Sequence, residues 1–201
     1  MARGPRYRVP FRRRKQGKTN YKKRKALVQS RMPRLTIRTT QKHTTTQIIK
    51  PKTIGDQTIT QAHTNQLTKT YGWKAPTGNT PAAYLTGLLC GHKAKTHKIK
   101  KAILDIGLQT PTKGARIFAT LKGILDAGIT VPHSETVLPD EKRIQGQHIA
   151  DYAKQLSTDP EAYQKRFAEY ISKGLQPEQL PQHFTQTKEK IISSFEKEKK
   201  P

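Results

Sequence analysis

The chain has 201 residues, of which 39 are Lys or Arg and 14 are Asp or Glu, for a formal charge of +25, and 32% are aliphatic or aromatic. That length fits one domain with tails, or one domain and a small appendage, and self-repulsion at this charge calls for a polyanionic partner: RNA, DNA or an anionic membrane surface. The lone Cys90 excludes an intrachain disulfide and fits a reducing, intracellular setting; the start lacks the apolar core of a signal peptide, and no apolar run is long enough to span a membrane.

The charge is concentrated at the start. Residues 1–55 carry 18 Lys or Arg and no acid, Asp56 being the first carboxylate, whereas residues 140–201 carry 11 basic and 10 acidic side chains. This divides the chain into a basic nucleic-acid-binding arm over 1–31, an α/β core over 32–139 and a helical C-terminal extension over 140–201. In the arm, Arg3, Arg6, Arg8, Arg12, Arg13, Arg14, Lys15, Lys18, Lys22, Lys23, Arg24, Lys25 and Arg31 supply phosphate-neutralising charge. Tyr7, Phe11 and Tyr21 are interleaved with them, as side chains that stack on unpaired bases. The alternative is a solvated tail or a localisation signal. With so few apolar residues, the arm is expected to be disordered alone and ordered on RNA, with a short basic helix over 19–29.

From Pro33 the pattern alternates. Strands are expected over 34–40, 44–50 and 58–62, joined by turns at Gln41-Lys42 and Ile54-Gly55-Asp56. Arg38 and Lys42 extend the basic surface into this meander. Residues 71–81 read as a loop, in which Tyr71, Trp73, Lys74 and Asn79 are candidate RNA contacts and the Gly78 backbone can approach phosphate closely; the competing reading has Trp73 plugging the core. Thr80 followed by Pro81 marks a helix start with a hydroxyl cap, and that helix runs to about Lys95 with Ala82, Leu85, Leu88 and Leu89 inward. A buried strand over 102–106, a helix over 114–127 ended by Gly128, and a last strand over 129–131 complete the core. Lys113 and Arg116 stand at the start of that second helix, where free N–H groups attract phosphate, though plain capping explains the pattern as well. The extension shows helices around Ile149–Leu156 and from Pro160 to Gly174, where Tyr163, Phe167, Tyr170 and Ile171 share a side, and a short one around Ile191–Phe195. These are expected to cover the body or touch a neighbouring protein.

No catalytic, metal or cofactor signature emerges. His92 and His97 have no Cys partner at ligand spacing. The first strand carries no acid, so Asp105 reads as a lone structural carboxylate that caps or pairs with a Lys, not as part of a two-metal site. Cys90 reads as a small buried apolar residue.

Several blocks in one order resemble a known family. They are Phe11–Tyr21 (FRRRKQGKTNY), Tyr71–Leu89 (YGWKAPTGNTPAAYLTGLL), Ile103–Lys122 (ILDIGLQTPTKGARIFATLK), Gly128–Glu135 and Leu138–Gly146. Together they are similar to the large-subunit ribosomal protein L-eighteen family, whose eukaryotic counterpart is ribosomal protein L-five. The length and helical extension look like its archaeal form, and residues 157–201 carry none of the resemblance. The resemblance implies a mixed sheet with helices in a ribonuclease-H-like, non-catalytic arrangement. It implies a cytoplasmic structural constituent of the large ribosomal subunit, without cofactor or turnover. Its partners would be 5S ribosomal RNA, large-subunit ribosomal RNA and neighbouring proteins of the central protuberance. The alternatives are a ribonuclease-H-like RNA-processing enzyme, which the missing acid cluster disfavours, and a general nucleic-acid-coating protein, which would not need a folded body.

Overall fold

Leu35 and Ile37 alternate with Arg34, Thr36 and Arg38 along Arg34–Thr39 (β1), so one face of this strand is apolar and the other polar. The same alternation runs through Thr44–Pro51 (β2), where Thr44, Thr46 and Ile48 point inward and Thr45 and Gln47 outward. Asp56–His63 (β3) adds Thr60 and Ala62 to the inner face. The computed structural model describes residues 4–197, and Arg3 of the arm lies outside them. β1, β2 and β3 form the expected antiparallel meander, with Arg34 opposite Ile49 and Thr46 opposite Ala62, and a register shift at Ile48/Ile49. Ile103–Asp105 (β4) joins the other side of β1 in parallel, giving a four-stranded mixed sheet of order β3-β2-β1-β4.

Helices of the body cover the inner face, and one helix near the N-terminus, given below, stands over part of the other. Thr80–Thr96 (α4, numbered after the arm helices and a third helix given below) is buried around most of its girth, with Ala82, Ala83, Tyr84, Leu85, Leu88, Leu89, Cys90 and Ala94 all in the core. Its neighbour Arg116–Asp126 (α5) turns Ile117, Phe118, Leu121 and Ile124 inward, while Leu125 is partly buried. The two helices meet backbone to backbone. A Cβ on Gly87 would strike the Thr120 carbonyl, and one on Gly123 would strike the Tyr84 carbonyl. Burial holds the Cys90 thiol up at about 12, so it is an inert packing group facing the Thr46 carbonyl.

The arm contains two helices, Arg12–Lys15 (α1) and Tyr21–Gln29 (α2), the second capped by Asn20, whose side chain accepts from Lys23 N–H at 3.1 Å. Several expected boundaries are corrected. β3 is longer than 58–62 and takes Asp56 out of the turn. Thr64–Tyr71 (α3) is a helix where none was expected: its start rests on a capping box made by His63 and Gln66, an unusual cap, and its Thr-rich face hides the period. Asn79, not Thr80, caps α4 by accepting from Ala82 N–H at 2.9 Å. Residues 129–131 contribute only a single parallel bridge, Lys101 to Thr130, instead of a strand.

The extension comprises Glu141–Gln145 (α6), Gln147–Leu156 (α7), Pro160–Ser172 (α8) and Leu180–Lys197 (α9). The last is an 18-residue helix, not a short one, because it continues N-terminally through Phe184 and Thr187 against the core. Of the side shared by Tyr163, Phe167, Tyr170 and Ile171, Phe167 and Tyr170 are buried while Ile171 is exposed.

Because Gly87 faces backbone that cannot swing aside, Gly87→Ala should lower unfolding free energy by about 3 kcal/mol. Urea denaturation followed by circular dichroism checks this, with Thr68→Ala, at an exposed helical position, as the contrast.

Candidate nucleic-acid interface

The sheet face away from α4 and α5 is polar, and the basic segment of residues 4–31 reaches over it through α2. Arg6, Arg8, Arg12, Arg13, Arg14, Lys15, Lys18, Lys22, Lys23, Lys25 and Arg31 are all exposed. Tyr7 and Phe11 are exposed beside them, and Phe11 packs against the half-buried Tyr21 with ring centroids 5.0 Å apart. Arg13 Nε donates to Thr19 Oγ1 at 2.9 Å, which folds the segment between α1 and α2.

The arm is not a free tail at α2. Arg24 grips Asp56 through two bonds, Nη1 to Oδ2 at 2.8 Å and Nη2 to Oδ1 at 2.9 Å. Asp56 Oδ2 also accepts from Arg34 Nη2 at 2.6 Å, and Arg34 Nη1 donates to Asp105 Oδ2 at 2.9 Å. Arg38 closes the series, donating from Nη2 to Asp105 Oδ1 at 3.0 Å and from Nη1 to the Asp105 carbonyl at 2.6 Å. The result is a ladder of alternating sign, Arg24–Asp56–Arg34–Asp105–Arg38, running across the polar face from β3 to β4. Arg34, only 3% exposed, is its buried rung. Asp105 therefore pairs with two arginines, not with a Lys, and also accepts from Gly107 N–H at 2.9 Å. With its oxygens so engaged it is a structural acid; among the described residues no three His, Cys, Asp or Glu side chains are grouped to hold a metal.

Sequence reasoning placed Asp56 in a turn and Arg34 at the start of a strand without pairing them. The signal available was a carboxylate isolated after 55 acid-free residues, a position where an acid must have a specific partner.

The loop after α3 is put to another use. Trp73 is 1% exposed, its ring stacks on His183 of α9 at 5.0 Å, and its Nε1 donates to the Pro76 carbonyl at 3.4 Å. Tyr71 is half-buried with its hydroxyl 3.4 Å from Ser194 Oγ. Asn79, besides capping α4, donates from Nδ2 to the Tyr170 hydroxyl of α8 at 3.4 Å. So Tyr71, Trp73 and Asn79 dock the helical extension, and Trp73 presents no face to a base. Lys74 alone of the four is exposed, while its N–H donates to His183 Nε2 at 3.0 Å. Burial first, then the charges of Lys190 and Lys74, holds His183 below its ordinary range, so the ring stays neutral and able to accept.

Gly78 is small for packing, because a Cβ there would strike the Gln41 carbonyl in the β1–β2 turn, so its closeness serves that turn and not a phosphate. Thr77 Oγ1 donates to the Lys42 carbonyl at 2.6 Å and Arg116 Nη1 to the Gly78 carbonyl at 2.8 Å. Arg116 thus ties α5 to this loop, leaving Lys42 and Lys113 as the exposed cations here. The start of α5 has no side-chain cap, contrary to the hydroxyl pattern before it.

Residues 5–100 and 92–134 match the family model of ribosomal large subunit proteins 60S L5 and 50S L18. The chain belongs to this family. Membership makes it a constituent of the large ribosomal subunit, a structural protein by family. The match takes in the arm, the sheet, α4 and α5, and it stops before α6, so the helices that cover Trp73 lie beyond the family's matched region. Among the described residues no helix is long and apolar enough to cross a membrane.

Arg24, followed by Arg34, holds the Asp56 carboxyl below the usual carboxylate range. A lowered pKa stabilises above the unfolded value of about 3.9 and loses that contribution as pH falls through the folded value. Hydrogen-exchange protection of α2 should therefore collapse below about pH 4, ahead of β1. Asp56→Asn should show the same unprotected α2 already at neutral pH.

Proposed function

We propose that this ribosomal protein binds 5S ribosomal RNA and docks it on the large-subunit RNA in the central protuberance. It acts there as a scaffold in the cytoplasmic ribosome, without a small-molecule substrate. The body takes the part of a ribonuclease-H-like platform whose acidic positions serve arginines in place of metals. The observation that carries this reading is the exposed, acid-free arm of residues 4–31, set over a polar sheet face and joined to a family of large-subunit proteins.

The mechanism follows from the charge. Each phosphate that the arm neutralises releases condensed counterions, so affinity is bought largely with salt-sensitive entropy. Tyr7 and Phe11 supply stacking surface for unpaired bases, and Arg and Lys at the α1–α2 junction track the backbone. The extension, nearly balanced in charge, is suited to neighbouring ribosomal proteins more than to RNA. Archaeal membership fits the same length and helical extension.

Binding to 5S ribosomal RNA should exceed binding to an unrelated structured RNA of equal length at moderate salt with competitor; equal affinity overturns the 5S assignment. Log affinity should fall by roughly 0.7–0.9 per log unit of salt for each phosphate contacted. Replacing Arg12, Arg13 and Arg14 with Ala should reduce that slope by about two to three units while leaving the fold of the sheet, α4 and α5 intact by circular dichroism, since the three side chains are exposed and the Arg13–Thr19 bond lies within the arm.

A further inference from the structure

A cleft of about 770 Å³ lies between α2 and the polar sheet face. Its rim and its floor differ in kind. Arg13, Lys18 and Lys23 stand at the rim, and no carboxylate of the described residues pairs with them. The floor carries Arg24, Arg34 and Arg38, whose three charges are answered in part by the two carboxylates Asp56 and Asp105. A phosphate is therefore favoured more at the unpaired cations of the rim than deeper in.

What the floor offers is flat and weakly polar surface. The Arg38 guanidinium is held by Asp105 and the Ile37 carbonyl through Nη1 and Nη2, yet its side chain is 45% exposed, so it still offers surface to the cleft. Gly107, at φ +66, sits against that guanidinium, and a Cβ there would lie 2.9 Å from its central carbon. Beside it Leu108, an apolar side chain in a polar cleft, is 55% exposed. Tyr21 forms the opposite wall, and Gln47, whose Nε2 donates to Gln61 Oε1 at 3.1 Å, adds amide groups to the floor.

Cationic rim, planar apolar walls and an amide floor match a nucleotide. The volume is in the range of about 300–1,000 Å³ that holds small ligands and is too confined for a duplex. From this we infer that the cleft receives one unpaired nucleotide extruded from structured RNA, its phosphate held by Arg13, Lys18 and Lys23 and its base placed between Tyr21 and the Arg38–Leu108 wall. This inference rests on the RNA-binding reading above and adds a specific subsite to it. Unpaired bases splayed out of loops and bulges are the usual targets of such stacking surfaces. Arg38 thereby acts as a stacking platform, not as the phosphate contact expected from its charge.

The test uses the full chain and two hairpin RNAs that each carry a photoreactive thiouridine at one position, unopposed and bulged in the first and paired with an added adenosine in the second, the rest of the sequence being identical. The bulged hairpin should bind at least about five-fold more tightly, and its cross-links should map to Tyr21 or to residues 104–108. Leu108→Ser, an exposed position, should bring its affinity down to that of the paired hairpin without changing the melting temperature. Equal affinity for the two hairpins, with cross-links confined to residues 4–18, overturns the cleft while leaving arm-based RNA binding intact. Failure to bind either hairpin overturns the RNA reading itself.

Discussion

The arginine–aspartate ladder on the polar sheet face is the constraint on which the rest of the molecule depends. Arg34 is buried and its guanidinium must be answered, and Asp56 and Asp105 answer it from β3 and β4. Removing one partner of a buried pair generally costs about 3–5 kcal/mol, far more than the pair contributes over an apolar substitute. The ladder therefore acts less as adhesive than as an alignment device. A one-residue slip of β1 would turn Arg34 into the apolar layer under α4 and leave both aspartates unmatched. The same rungs reach outward through Arg24, so the position of the arm is set by the register of the sheet.

Much of this was legible in the residues. The alternation through Leu35 and Ile37 and the Thr-Pro start at position 80 announce β1 and α4, and the swing from an acid-free start to a balanced extension announces the arm. What was hidden has physical causes. α3 begins on a histidine cap and has a Thr-rich face, so neither its start nor its period stands out. The strand expected at 129–131 has apolar residues enough, but its partner offers only Lys101, and a strand exists only as far as its neighbour pairs with it.

The loop from Tyr71 to Asn79 illustrates the ambiguity of an aromatic residue beside a lysine. Such a residue stacks equally well on a base or on a histidine of its own chain, and local sequence does not distinguish them. The deciding partners, His183, Ser194 and Tyr170, lie roughly a hundred residues away. Asp105 was similarly half-legible: its structural role was evident from the absence of companions, but two arginines on β1, across the sheet, claim it in place of a lysine. Charge, by contrast, reads directly from composition because solvent exposure is the default for Lys and Arg.

The way α9 closes over the body bears on the order in which the chain matures during its own synthesis. Phe184 packs on Tyr84 of α4 with centroids 5.5 Å apart, His183 covers Trp73, and Ile191 is fully buried. A chain emerging from its N-terminus makes the sheet, α4 and α5 long before it makes α9. During that interval Tyr84 and Trp73 face water, and a nascent body of this kind carries both an apolar patch and an uncompensated cationic arm. Such an intermediate is prone to self-association and to indiscriminate capture of nucleic acid. Closure of α9 over Trp73 and Tyr84 is what removes that patch from water.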